Sequence, residues 1–179
     1  MKIGLLVGSL RKGSFNKKIA QVVEEVINEK HQAEIIDISY LPIYNQDHDG
    51  AKPIEEYVRI RQELKKYDAY IFFTPEYNRS LAPALKNVID IGSRDPKGNI
   101  WDGKAAAVFS ASMGSSGAMM ANFALKDNFV YVNLITMNQP EVYISKVHTL
   151  FDEKGRLVED TKKFVEDSAR DFIQFAKNV

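Results

Sequence analysis

GSLRKGSFN, residues 8–16, follows the apolar run IGLLV, residues 3–7, and precedes a helical pattern. A strand feeding a helix through a short glycine-containing loop is the opening unit of a parallel α/β fold. Such a loop gathers free backbone N–H groups and the positive end of a helix dipole at one spot, which suits an anion. Gly8 and Gly13 have the spacing of GxxxxGK[ST], but Ser14 and Phe15 stand where a triphosphate loop needs lysine and a hydroxyl residue. The third apolar run ends FFTPE, without the aspartate that would hold magnesium. The dinucleotide pattern GxGxxG fails at Leu10, where a second glycine must let a pyrophosphate approach. What remains is a terminal monophosphate held without metal. Ser9, Ser14 and Asn16 would be its neutral donors and Arg11 its planar charged one. A plain turn with a helix cap uses the same serine and asparagine, so this loop alone leaves both readings open.

The rest of the chain extends the pattern. Strands are expected at residues 2–7, 33–38, 69–74 and 104–111, with a last one within 134–145. Helices are expected at 16–29, 53–66, 82–91, 118–129 and 160–177. Pro53 should open the second helix, and Phe164, Val165, Phe172, Ile173 and Ala176 should face inward from the last. The run AYIFFT, residues 69–74, is apolar throughout, as a strand covered on both faces must be. Right-handed crossovers then favour a doubly wound, flavodoxin-like sheet: three layers, five parallel strands in the order 2-1-3-4-5. No repeat or linker divides the chain, so residues 1–179 are expected to form a single domain.

Composition narrows the function classes. Lys+Arg and Asp+Glu are equal at 24 each, so no net field draws nucleic acid or an anionic membrane. The absence of cysteine excludes disulfides, thiolate catalysis and cysteine metal sites, and it fits a reducing cytoplasm. Arg11 and Lys12 cut short the N-terminal apolar run before it can act as a signal peptide.

Doubly wound sheets bind ligands beyond the carboxyl ends of their strands, which directs attention to three loops. The second, PEYNRSLAPALKNVID (residues 75–90), combines stiffening prolines with Glu76, Tyr77 and Asn78. The third, SASMGSSGA (residues 110–118), is nearly all small residues, so its backbone can approach a flat ligand.

GSLRKGSFN followed by PEYNRSLAPALKNVID resembles the NAD(P)H-dependent FMN reductase family, flavodoxin-like proteins that include quinone, azo-dye and chromate reductases. The similarity runs through nearly the whole chain, including YLPIYNQD, residues 40–47. It implies that Ser9, Arg11, Ser14, Phe15 and Asn16 hold the FMN phosphate. Pro75, Glu76, Tyr77 and Asn78 would border the isoalloxazine, and Ser112, Gly114 and Gly117 would close its other side. Ala118 departs from the family, which often has a second glycine there. The implied activity is hydride transfer from NAD(P)H to FMN and on to a small-molecule acceptor by turns, with no side-chain nucleophile. A flavodoxin-type electron carrier is the alternative, although such carriers are usually strongly acidic and this chain is balanced. The resemblance further implies a homodimer or homotetramer. Leu85, Val88, Ile89, Met119, Met120 and Phe123 on the helices after loops two and three are more apolar surface than packing on the sheet requires, so some of it should lie in the interface.

Other signals carry less. NQDHDGAKPIEE, residues 45–56, places Asn45, Asp47, Asp49, Gly50 and Glu56 at calcium-loop positions, but Pro42, Lys52 and Pro53 disturb the required geometry. His31, His48 and His148 lack ligand spacing, so no metal site is expected. Nor does the chain contain a GxSxG nucleophile elbow.

Overall fold

The computed structural model describes residues 1–179. Its elements are β1 Lys2–Val7, α1 Phe15–Asn28, β2 Gln32–Ile36, α2 Glu55–Leu64, β3 Ala69–Thr74, α3 Pro83–Ser93, β4 Ala105–Ala111, α4 Met119–Tyr131, β5 Ile135–Thr136, β6 Val142–Ile144 and α5 Glu159–Ala176. Every strand pairing is parallel. The sheet runs β2-β1-β3-β4-β5, with β6 also on β4. The expected 2-1-3-4-5 order holds, but two short segments share its last place. The chain between them contains Pro140, which has no N–H to give to a ladder.

Strand alternation sorts the core into two layers. Ile3, Leu5 and Val7 of β1, Ile71 and Phe73 of β3 and Phe109 of β4 pack under α1 and α5. Leu6, Tyr70, Phe72 and Val108 point the other way, into a layer closed by α2, α3 and α4. All residues of β3 and β4 are buried, whereas β2, at the sheet edge, is half open. That strand ends two residues earlier than its apolar pattern suggests. Asp37 accepts from the Ser39 N–H and hydroxyl at 2.9 and 2.7 Å, and this local turn takes the chain off the sheet.

Three sequence expectations need correction. Pro53 lies before α2 instead of inside its first turn; Ile54 is the cap, and Glu55 and Glu56 supply the acidic first turn. Phe164 is exposed because the buried stripe of α5 runs through Val165, Ser168, Ala169, Phe172 and Ile173, about 100° away. Leu85, Val88 and Ile89 of α3 are at most 1% exposed, all inside the chain's own core. That helix therefore offers none of them to a second copy. Apolar exposure lies on α4, at Met120, Phe123, Val130 and Tyr131.

The segment between β2 and α2 is tied down by polar side chains. Asn87 of α3 accepts from the Tyr44 N–H at 2.7 Å and donates to the Pro42 carbonyl at 2.9 Å. Asp49 takes both arms of the Arg61 guanidinium at 2.6 Å, and Arg61 Nε donates to the Ile91 carbonyl at 2.9 Å. Both side chains of this ion pair are at least 96% buried, their relative exposures being 3% and 4%. The Asp49 carboxylate that fitted a calcium pattern is thus committed to a guanidinium.

Candidate functional site

The loops after β1, β3 and β4 meet at the carboxyl end of the sheet, because these three strands are neighbours. In the first loop, Gly8 still donates to Phe73 at 2.8 Å, closing the sheet. None of the backbone N–H groups of residues 9–16 then donates to a protein acceptor. Ser14 caps α1 by accepting from the Lys17 N–H at 3.2 Å, and no acidic residue occupies the helix's first turn. The cap and anion readings are therefore compatible, since a hydroxyl that accepts one N–H still has its own proton to donate. Ser9 and Ser14 are buried, while Arg11 is exposed and its guanidinium lies 5.1 Å from the centre of the Phe15 ring.

Two residues of this loop use their side chains elsewhere. Phe15 stacks on Phe151 with ring centroids 5.3 Å apart. Asn16, only 4% exposed, donates to the Ala111 carbonyl at 3.1 Å and so ties the start of α1 to the end of β4. Its Oδ1 has no protein partner, and neither does the buried Oγ of Ser112. Orphaned buried oxygens are uncommon in finished interiors, and both lie along one seam between the first and third loops.

The second loop is a tight hairpin. Tyr77 and Ser80 exchange backbone bonds at 3.1 and 3.0 Å, with Asn78 and Arg79 between them in the left-handed region at φ 52° and 66°. Tyr77 and Asn78 are exposed, and Pro75 and Glu76 half-buried. Glu76 reaches across to α4, where its Oε2 accepts from the Met120 and Ala121 N–H groups at 3.1 and 3.4 Å.

In the third loop, Ser112 donates its N–H to the Ile144 carbonyl at 3.1 Å and accepts from the Val147 N–H at 3.0 Å. The N–H groups of residues 113–118 have no protein acceptor. Gly114 is exposed and Gly117 buried at φ 60°; a Cβ there would sit 2.7 Å from the Tyr143 carbonyl carbon, so only glycine fits. The Tyr143 phenol donates to Glu141 at 2.8 Å, and burial together with that carboxylate pushes its pKa up to about 12. Sequence pattern gave no sign of Tyr143 behind Gly117, of the Asn16–Ala111 tie or of the Glu76 bonds to α4. Each joins segments far apart in the chain.

A groove of ≈ 530 Å³ adjoins the first loop and reaches Asp37 and Ser39. A larger cavity of ≈ 730 Å³, between α1 and the start of α5, touches none of the three loops. No group of acidic or histidine side chains is arranged to hold a metal ion.

A doubly wound sheet with unpaired N–H groups at its first strand–helix turn, and again in the loop after β4, is the arrangement that phosphate-anchored nucleotide and flavin proteins of the α/β class use. Comparison with known proteins narrows this. The NADPH-dependent FMN reductase family matches residues 1–149, and the chain belongs to it. A quinone reductase of Pseudomonas putida is 38% identical over 98% of this chain and 94% of its own. A 2-hydroxy-1,4-benzoquinone reductase of a Burkholderia species is 36% identical over 93% and 91%. The structure of FerB, an NAD(P)H:(acceptor) oxidoreductase from Paracoccus denitrificans, superposes with a TM-score of 0.89 at 32% identity, covering 99% of this chain and 97% of that one. The chain is thus an NAD(P)H-dependent oxidoreductase with FMN as its cofactor. The unpaired donors of the first loop fit the phosphate of that cofactor. No helix is long and apolar enough to cross a membrane.

Proposed function

We propose that the three loops form one flavin site within a single domain of residues 1–179, and that the enzyme passes electrons from NAD(P)H to a quinone-type small molecule. The names of its relatives point to that acceptor class. The observation that carries the site is the run of unpaired N–H groups over residues 9–16, at a helix start with no acid of its own. Ser9, Arg11 and Ser14 hold the phosphate with their side chains. Phe15 and Asn16 contribute main-chain N–H groups, since their side chains are engaged with Phe151 and Ala111.

Pro75, Glu76, Tyr77 and Asn78 border one side of the ring system, and Ser112, Gly114 and Gly117 the other. Bound FMN supplies a centre that takes hydride from a nicotinamide and returns the electrons to a second substrate. The free N–H groups of residues 113–118 stabilise negative charge on a ring carbonyl, as preorganised donors do for oxyanions. With a single open site, donor and acceptor visit in turn, giving ping-pong kinetics.

Denaturing the purified protein should release FMN, identified by mass, and the holoenzyme should oxidise NAD(P)H with a quinone along parallel double-reciprocal lines. Release of FAD, or no flavin after reconstitution, defeats the reading. A flavin-loaded protein that fails to oxidise NAD(P)H would instead be a flavodoxin-type carrier.

The exposed apolar residues of α4 support a homodimer or homotetramer, and the cysteine-free composition supports work in the cytoplasm. Phe123 is 52% exposed, so Phe123→Glu should lower association without unfolding the chain. Ile89 is 1% exposed, so a charge there should unfold it. Light scattering of both variants separates these effects, and a monomer mass for fully active wild type would remove the oligomer from the proposal.

A further inference from the structure

Every helix must find partners for its first N–H groups, and α4 has poor local means of doing so. Its cap residue is Ala118, which has no side-chain acceptor and is held in the left-handed region at φ 62°. It follows Gly117, also left-handed at φ 60°. No acidic residue lies in the first turn. The accounting nevertheless closes. Met119 donates to the Ser116 carbonyl at 3.2 Å and Asn122 to the Ala118 carbonyl at 3.1 Å. The two donors between them, Met120 and Ala121, go to Glu76 Oε2. A carboxylate 44 residues away in sequence, on the loop after β3, therefore performs the capping that residues 115–118 do not.

We propose that Glu76 is a positioning residue: its carboxylate caps α4 and so holds the third loop in the left-handed, donor-exposing form that meets the flavin ring. This rests on assigning that loop to the flavin. Two consecutive residues at positive φ, one of them alanine, form an unfavourable conformation that persists only when its surroundings enforce it. On one side Gly117 is wedged against Tyr143; on the other, the first turn of α4 is clamped by Glu76. Without the clamp, the turn frays, Gly117 and Ala118 leave the left-handed region, and the loop that carries the free N–H groups of residues 113–118 rearranges. The carboxylate also joins the second loop to the third, so the two walls assigned to the ring are set as one unit. The Glu76 oxygen that accepts both helix N–H groups has little capacity left to accept a hydrogen bond from the flavin, which is why Glu76 acts through α4.

Glu76→Ala and Glu76→Gln, compared with wild type, test this through amide hydrogen exchange on the flavin-free chain and through binding of FMN and of riboflavin. In Glu76→Ala, exchange at Met120 and Ala121 should accelerate about tenfold, the change expected for losing one capping interaction. FMN and riboflavin should both weaken, by a similar factor of about ten. Glu76→Gln, which keeps an acceptor oxygen but not the charge, should recover part of both effects. Unchanged exchange in Glu76→Ala would overturn the cap. Faster exchange with unchanged affinity for both flavins would overturn its link to the flavin site. Weakened FMN with unaltered riboflavin would place Glu76 at the phosphate and overturn the proposal too. Failure of the loop assignment itself is distinguishable, because adding FMN to wild type would then leave amide exchange at residues 113–118 unchanged.

Discussion

Arg61→Ala should destabilise the folded chain by about 3–5 kcal/mol, the usual loss when one partner of a buried ion pair is removed. The Asp49 carboxylate, 4% exposed, would be left without either arm of its guanidinium partner, and the Ile91 carbonyl would lose its Nε donor. Urea titration measures the loss, and a double variant with Asp49→Ala should recover much of it, because no orphaned charge then remains. The pH dependence gives a second check. Hydrogen bonds from Arg61 hold the Asp49 carboxyl below its ordinary value, against the opposing effect of burial. A depressed folded-state pKa contributes stability above the unfolded value, and that stability is lost as pH falls through the folded one. Wild type should therefore weaken in acid through this pair. The gap between it and Arg61→Ala should narrow there. A variant deficit that is constant across the acid range would show that the pair is not what holds residues 45–50 in place.

Arg11→Ala should weaken FMN by ~1.5–3 kcal/mol, the range for a hydrogen bond to a charged group. The guanidinium is not used by the fold: no carboxylate pairs with it, and it rests beside the Phe15 ring. Riboflavin, which lacks the phosphate, should be affected far less. Equal losses for the two ligands, measured by fluorescence titration, would mean that Arg11 acts through Phe15 and the packing on Phe151 instead. The contrast with Glu76 is diagnostic, since a phosphate contact separates the two flavins and a ring-loop brace does not.

Sequence pattern located β1 and β3 to the residue, because both are apolar runs bounded by turn-forming neighbours. It also located the three loops, whose positions follow from strand ends. It misjudged Pro53 and Phe164 for local reasons. A proline two residues before a helix reads much like one inside its first turn, and Phe164 outweighs Ser168 and Ala169 in hydrophobicity although those two small residues share the buried stripe with Val165, Phe172 and Ile173. The same limit applied to α3, where an apolar face does not say whether it covers its own sheet or a neighbour. Inside the site, residue type was legible but partner was not. Asn16 and Glu76 carry polar groups suited to a ligand, yet each is joined to another part of the chain, Ala111 and α4. Such long-range bonds depend on three-dimensional register, which one sequence does not display.

The unpaired N–H run of the first loop bears on the life of the protein in the cell as well as on its chemistry. A chain that binds FMN when folded and not when unfolded gains RT ln(1 + [L]/Kd) on doing so, about 2.7 kcal/mol when free ligand stands at a hundred times Kd. That is a large share of the margin by which ordinary domains stay folded. Proteases sample the unfolded fraction, so the amount of this enzyme should follow the supply of flavin, with vitamin shortage lowering its abundance before it lowers the activity of each surviving molecule.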